Sequence, residues 1–97
     1  ISLTLDNPDI MPHNWVLVAA GGVERTGALA DAMVTAADAV ARHFVPLGAP
    51  VLVHTGLVAA GTSGVIHFNA PEQAGRYPYL CTFPGHWRLM QGEMVVE

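Results

Sequence analysis

Short runs of alternating apolar and polar residues recur along the chain, separated by clusters of Gly, Pro, Asn and Asp. In such a run every second side chain lies on the same face, which is typical of a β-strand with one buried face. Six runs predict strands, at residues 1–5, 13–18, 51–54, 64–69, 77–83 and 92–96. Pro78 lies within the fifth run and cannot donate a hydrogen bond to a neighbouring strand, so an edge position or a local bulge is expected there.

One segment follows a helical period instead. Between about residues 26 and 44, apolar side chains recur at steps of three and four, at Leu29, Met33, Ala36, Ala37, Val40 and Phe44. This spacing predicts a helix with one apolar face, ended by Pro46. Short strands with Gly and Pro turns, together with one helical insertion at about 26–44, indicate an all-β sandwich.

Composition and charge narrow the class of protein. Of the 97 residues, 52% are apolar and 12% are charged, so we expect a packed core in one domain spanning 1–97. The net charge is −4 and there is no basic stripe, which argues against nucleic-acid binding. Every apolar stretch is interrupted well before the roughly 18 residues that a transmembrane helix requires. Because the chain opens directly on a predicted strand, we expect it to be a segment of a longer protein.

The most distinctive chemistry lies in one short loop. Cys81, His86 and Met90 offer a thiolate, an imidazole and a thioether within ten residues, with a Pro-Gly turn between the first two. These donors are soft, and one Cys with two His in a plane and a weak axial Met is the set that selects copper in blue electron-transfer centres. Cys81 is the only cysteine, so it is a candidate metal ligand rather than half of an internal disulfide. The loop needs a second histidine from elsewhere.

His13 is the best candidate for that histidine. It begins a predicted strand, and the side chain of the next residue, Asn14, can hydrogen-bond across to the loop that carries the cysteine and hold the two ligand segments in register. Three other histidines have no comparable neighbours and are interpreted as surface residues or as satisfied residues of the sandwich: His43, His54 and His67.

These segments resemble the cupredoxins, and within them the azurin and auracyanin group. The matching pieces are residues 13–17 and the Cys-x4-His-x3-Met loop at 81–90. The strand at 75–81 is also similar, with Tyr77 at the position that commonly braces a corner of the sandwich. The resemblance covers nearly the whole chain, and it implies a Greek-key β-sandwich with the cupredoxin fold.

The resemblance also implies a ligand set for one mononuclear type 1 copper site. His13, Cys81 and His86 are the equatorial ligands, and Met90 is the axial one. Azurins carry a glycine before the first histidine, and its carbonyl approaches copper as a second axial contact. Pro12 stands at that position here, and because its ring fixes φ, a weak contact from its carbonyl is left open.

Further roles follow from the same resemblance. Asn14 and a backbone N–H near Phe83 support the site from outside the ligand set, the latter by hydrogen-bonding to the sulfur. Met11, Pro84 and Trp87 form an apolar patch for docking of a redox partner.

The implied function is electron transfer between Cu(I) and Cu(II) by a carrier domain that is not itself an enzyme. The partner is a redox protein such as a c-type cytochrome, or a fused dehydrogenase module. A periplasmic or other extracytoplasmic location is implied. Family members normally have a further N-terminal strand, so we expect upstream residues that complete the sheet.

Three other functions use a similar fold or similar residues. Multicopper oxidases place His on both sides of the ligand Cys, whereas Leu80 and Thr82 flank it here. A cysteine nucleophile paired with His13 is conceivable as hydrolase chemistry, but it leaves Met90 unexplained. The main alternative is a non-redox β-sandwich interaction module that holds zinc or copper on the same ligands.

Overall fold

The computed structural model describes residues 1–97, which form six strands and one helix. Their bounds are Ser2–Asn7 (β1), Val16–Val18 (β2), Val23–Met33 (α1), Val51–His54 (β3), Thr62–His67 (β4), Gly75–Leu80 (β5) and Gln91–Val96 (β6). All six predicted strands are present, with ends displaced by up to three residues. In the second, residues 13–15 lie outside the strand, and His13 forms an isolated bridge with Val58. No helix of the structure combines the length and the apolar character that crossing a membrane requires.

The strands form two antiparallel sheets. One has four strands in the order β3-β2-β5-β6, and the other pairs β1 with β4. In the larger sheet Val16 of β2 lies opposite Leu80 of β5. Because these neighbours run in opposite directions, the start of β2 and the end of β5 lie at the same end of the sheet. The residues just before Val16 and just after Leu80 are therefore brought together.

The core has an aliphatic part and an aromatic part. The aliphatic cluster, which includes one indole, consists of Val16, Val18, Val45, Leu80 and Trp87. In the aromatic part, the Trp15 ring lies 5.4 Å from that of Tyr79 and 5.8 Å from that of Phe68. Phe68 directly follows β4, so Trp15 connects the smaller sheet to the larger one. The predicted sandwich of two sheets is confirmed.

The helix is shorter than the apolar period predicted. It begins at Val23 and ends at Met33, and residues 34–44 form consecutive turns rather than the second half of a helix at 26–44. Val40, expected on the buried face, is 68% exposed. His43 and Phe44 have φ values of 53° and 57°, which a right-handed helix does not permit. The helix therefore covers only residues 26–33 of the predicted span, and the apolar residues beyond it pack from turns, as the buried Ala39 shows.

Pro78 lies on an interior strand, so the edge position expected for it is wrong. β5 is paired on both sides, and Pro78 lies opposite Glu93 of β6 in an unbroken register, without the bulge that was the alternative. On the other side, the ladder with β2 contains only Tyr79 and Leu80. Pro78 therefore lies beyond the end of that ladder, where its missing N–H costs no pairing with β2.

Candidate metal centre

Two chain segments meet at one end of the larger sheet and carry the predicted ligands. His13 lies three residues before β2, and its backbone N–H and carbonyl both pair with Val58, at 3.1 and 2.7 Å. Cys81 directly follows β5, and His86 lies in the loop beyond it. The antiparallel pairing of β2 with β5 thus places two predicted ligands, His13 and Cys81, side by side although they are 68 residues apart in sequence.

The side chains of His13, Cys81 and His86 converge. The Cys81 Sγ lies 3.7 Å from Nδ1 of His13 and 3.8 Å from Nδ1 of His86. The three donor atoms all lie within 4.8 Å of one another, and the two imidazole rings are 4.9 Å apart. His13 and Cys81 are buried and His86 is half-buried, so solvent reaches the cluster mainly at His86.

This spacing fits a metal ion. A first-row metal bound in a plane, with a thiolate at about 2.3 Å, an imidazole nitrogen at about 2.0 Å and an angle of about 120°, separates the two donors by about 3.7 Å. Both sulfur–nitrogen distances agree with that value. One thiolate with two imidazoles is a donor set that copper favours, so the residues present fit a copper ion.

Met90 lies beside this cluster. Its N–H donates to the carbonyl of His86 at 2.9 Å, and its own carbonyl accepts the N–H of Cys81 at 3.0 Å. These two backbone hydrogen bonds connect Met90 to both ends of the segment from Cys81 to His86 and so close the loop 81–90. Met90 also lines, with His13 and Cys81, a cleft of about 420 Å³. Pro12 is half-buried next to His13.

Asn14 joins the two ligand segments, as the sequence predicted. Its side-chain N–H groups donate to the hydroxyl of Thr82 at 2.8 Å and to the carbonyl of His43 at 2.9 Å. In return, the backbone N–H of Thr82 donates to the side-chain oxygen of Asn14 at 2.7 Å. The sequence shows Thr82 only as a neighbour of Cys81, because its pairing with Asn14 depends on the fold.

The environment of the Cys81 sulfur has two opposing effects. Burial raises the pKa of the Cys81 thiol above its ordinary value, while backbone hydrogen bonds from Asn14 and Phe83 lower it. Both of these hydrogen bonds favour the thiolate form of Cys81, which is the form that would bind a metal. Phe83 was expected to act through this backbone N–H.

The imidazole of His86 is held in its neutral form. Burial is the main cause that lowers the pKa of His86, and the neighbouring His13 adds to it. A neutral imidazole has a free lone pair, which a metal ligand requires. The Phe83 ring packs against this imidazole with centroids 5.0 Å apart.

Asp9 is a hydrogen-bond partner of His13 that the sequence did not reveal. Its Oδ2 accepts a hydrogen bond from Nε2 of His13 at 2.9 Å, on the side of the ring that faces away from Cys81. This hydrogen bond is the largest cause that lowers the pKa of the Asp9 carboxyl. The sequence showed Asp9 only as part of a turn, because its partner depends on how residues 8–12 fold back.

Trp87 is not a surface residue, and the docking role expected for it needs correction. It is only 6% exposed and belongs to the core cluster. Its indole covers Gly27 of α1, where a Cβ would lie 2.3 Å from the ring, and its N–H donates to Asp31 at 3.1 Å. Trp87 therefore packs the loop 81–90 against α1. Because α1 covers the indole, a partner protein cannot contact it.

The other two residues predicted for the docking patch, Met11 and Pro84, are accessible to solvent. Met11 is exposed, and Pro84 is half-buried. Ile10 and Leu89, which the sequence did not single out, are 88% and 91% exposed next to the ligand segments.

The three other histidines lie outside the cluster. His43 accepts the N–H of Leu57 at its Nδ1, and His54 donates from its Nδ1 to the carbonyl of Thr55. All three, His67 included, are exposed, as their interpretation as surface or satisfied residues expected.

Comparison with known proteins places the chain in a family. Residues 2–97 match the model of the copper binding proteins of the plastocyanin/azurin family. Auracyanin-A of Chloroflexus aurantiacus is 37% identical over 93 residues, covering 95% of this chain and 55% of that protein. Azurin of Pseudomonas aeruginosa is 31% identical over 91 residues, covering 92% of this chain and 59% of that protein. The chain thus spans somewhat more than half the length of these relatives.

The fold comparison agrees. The solved structure of auracyanin A, described as a "blue" copper protein from a green thermophilic photosynthetic bacterium, superposes with a TM-score of 0.84 at 33% identity. The match covers 99% of this chain and 76% of that one. The predicted cupredoxin fold and the predicted copper cofactor are therefore confirmed. The chain belongs to the copper-binding plastocyanin/azurin family.

Proposed function

We propose that this domain carries single electrons at one mononuclear copper centre that cycles between Cu(I) and Cu(II). In this proposal His13, Cys81 and His86 would hold the copper ion, and Met90 would be a further, weak donor. The observation that carries it is the convergence of one thiol and two imidazole nitrogens, with sulfur–nitrogen distances of 3.7 and 3.8 Å. Azurins and auracyanins, the relatives that the chain matches, are blue copper electron carriers.

In this function the protein fixes the positions of the sulfur and nitrogen atoms that would bind copper. Copper, when bound, supplies the one-electron chemistry. Asn14 ties the His13 segment to the loop after Cys81, and the Met90 backbone closes that loop. Because hydrogen bonds within the protein set the donor positions, both oxidation states meet nearly the same geometry. A small geometric change on oxidation is what fast electron transfer needs.

The half-buried ring of His86 offers a route for electrons to the surface. Exposed apolar side chains lie on both ligand segments near it, namely Ile10 and Met11 on one and Leu89 on the other. An apolar surface of this kind suits a brief encounter of small area. We propose that the partner is a redox protein, such as a c-type cytochrome or a fused dehydrogenase module. Azurin and auracyanin relatives are extracytoplasmic, and we propose the same location, in the periplasm or at the cell surface.

Zinc is the alternative occupant, because its preferred distances to sulfur and nitrogen fit the same three side chains. The test is to load the folded chain with Cu(II) or Zn(II), measure each affinity, and record a voltammogram of the copper form. The proposal predicts tighter binding of copper and a reversible one-electron wave. His86→Ala should abolish the wave, and His67→Ala, an exposed histidine outside the cluster, should leave it unchanged. Preference for zinc, or a wave that survives His86→Ala, would contradict the proposal.

A further inference from the structure

The His13 ring has two nitrogens with different partners. Nδ1 lies 3.7 Å from the Cys81 sulfur, and Nε2 lies 2.9 Å from Oδ2 of Asp9. A neutral imidazole carries its proton on one nitrogen only. A carboxylate can only accept, so a proton shared with Asp9 resides on Nε2, and the lone pair is left on Nδ1.

We propose that Asp9 is a positioning residue of the metal centre. By accepting the Nε2–H of His13 it fixes the tautomer and the direction of the ring, so that Nδ1 faces the metal. This inference rests on the proposed function, since His13 must be a ligand for its tautomer to matter. A histidine ligand generally donates its second N–H to an acceptor of this kind, which also makes the ring a stronger donor.

The carboxylate is held in place, as a positioning residue must be. Its Oδ1 accepts the N–H of Ile10 at 2.7 Å, which leaves Oδ2 for His13. The backbone N–H of Asp9 donates to the side-chain oxygen of Asn7 at 3.0 Å. Each oxygen therefore has its own partner, and the group cannot rotate without breaking one of the two hydrogen bonds.

Asn7 fastens this turn to the segment that carries His13. It is buried, and its side-chain amide donates to the carbonyl of Met11 at 2.8 Å and to that of Val58 at 2.9 Å. Val58 also pairs with the backbone of His13 in both directions. Asn7 thus ties the turn that bears Asp9 to the strand segment that bears His13, so carboxylate and imidazole are positioned by one network.

The other interpretation is an exposed ion pair of little consequence, since such pairs contribute little to stability. The Asp9 side chain is 53% exposed, but that of His13 is only 8% exposed. Nε2 of His13 has Asp9 as its hydrogen-bond partner within the protein. The pair therefore satisfies a buried polar atom, which an ordinary surface pair does not.

The test compares four forms of the whole chain: wild type, Asp9→Asn, Asp9→Ala and the control Glu72→Gln. Glu72 is exposed and precedes β5, at the end opposite Cys81, so Glu72→Gln removes the same charge far from the site. The first readout is the His13 tautomer in the metal-free protein, from long-range 1H–15N NMR spectra at about pH 8, above the pKa of a free imidazole. The second is the affinity for Cu(II).

The inference predicts a proton on Nε2 that exchanges slowly in the wild type and in Glu72→Gln. In Asp9→Ala this proton should exchange quickly and both tautomers should be populated, with Cu(II) affinity reduced about 10- to 100-fold. Asp9→Asn, which keeps a neutral acceptor, should lie between the two. A wild-type proton on Nδ1, or an Asp9→Ala protein that matches Glu72→Gln in both readouts, would overturn the inference. If Asp9→Ala does not fold, the wild-type tautomer alone tests the inference: a proton on Nε2 supports it and a proton on Nδ1 overturns it.

This outcome is distinguishable from failure of the proposed function. The tautomer is measured without metal, whereas the proposed function fails when the wild-type chain does not bind copper as a redox-active centre. A fixed Nε2–H tautomer in a chain that shows no copper preference would retain the positioning geometry and reject the electron-transfer role.

Discussion

Asn14 and Thr82 hydrogen-bond to each other in both directions, and through them the two segments that carry the candidate ligands are joined. The amide of Asn14 donates to the Thr82 hydroxyl at 2.8 Å and accepts the Thr82 N–H at 2.7 Å. Both residues are buried, so no water replaces either hydrogen bond. The Asn14–Thr82 pair therefore contributes both to the stability of the domain and to the geometry of the site.

Asn14→Ala should strongly destabilise the fold. The substitution leaves the buried Thr82 N–H without a partner and removes the hydrogen bonds to the Thr82 hydroxyl and the His43 carbonyl. An unsatisfied buried group costs about 1–3 kcal/mol, and a lost hydrogen bond about 0.5–1.5 kcal/mol. The free energy of unfolding, from denaturant titration, should fall by at least about 2 kcal/mol. Asn69→Ala, at an exposed asparagine, is the control and should change it by less than about 0.5 kcal/mol. Equal stability of the two variants would contradict the role given to Asn14.

Gly27→Ala should destabilise the protein although alanine favours helices. Helix propensity alone predicts a gain of about 1 kcal/mol. A Cβ at Gly27, however, would lie 2.3 Å from the ring of the buried Trp87, and overpacking of this kind costs about 1–3 kcal/mol. Thermal unfolding should show a lower midpoint for Gly27→Ala and almost none of that loss for Ala28→Ser, an exposed change on the same helix. A higher midpoint for Gly27→Ala would show that the indole does not pack there.

Met90→Leu should raise the reduction potential and leave the blue colour. The thioether is the weak axial donor in the proposed centre, and removing a donor destabilises Cu(II) more than Cu(I). The equatorial thiolate, which gives the colour, is untouched. Voltammetry and absorption spectra check the two parts separately. The control is Met94→Leu on β6, opposite Tyr77 and away from the ligand loop, which should change neither. A potential equal to that of the wild type would remove Met90 from the ligand set.

Copper binding should release about one proton per chain at about pH 7. Burial raises the pKa of the Cys81 thiol, so the metal-free protein holds this proton at neutral pH. Burial lowers the pKa of His86, so that imidazole is already neutral and releases none. The apparent affinity should therefore rise about tenfold per pH unit up to the thiol pKa. Calorimetry in two buffers of different ionisation enthalpy counts the protons. Release that persists in Cys81→Ala would assign the proton to another group.

The part of the site that lies within one loop could be predicted from the sequence. Cys81, His86 and Met90 are close in the chain, so their spacing alone limits how far apart they can lie. His13 is distant in the chain, and its prediction rested on its place before Asn14 at the start of a strand and on the family resemblance. The contact of Asp9 with His13 could not be predicted, because it depends on the conformation of residues 8–12, which hydrogen bonds from Asn7 hold in place.

The errors about the helix at 26–44 and about Trp87 share one cause. A local sequence pattern does not show which distant residues will pack against a side chain. Residues 34–44 carry a helical period but form turns, in which Ala39 is buried and Val40, expected on the buried face, is exposed. Trp87, next to a ligand, was placed at the surface because its partners lie far away in sequence. Its partner Asp31 precedes it by 56 residues, and Gly27 lies on the same helix. Long-range packing of this kind requires the fold.

The central claim, that this domain holds a mononuclear blue copper centre, is tested most directly by titrating the metal-free chain with Cu(II) and recording its visible absorption. The account predicts an intense blue band from the Cys81 thiolate that grows linearly and saturates at about one copper per chain. The band should be absent in Cys81→Ser, which keeps the size of the side chain but lacks the sulfur. A folded wild-type chain that binds copper without this band, or a band that remains in Cys81→Ser, would contradict it.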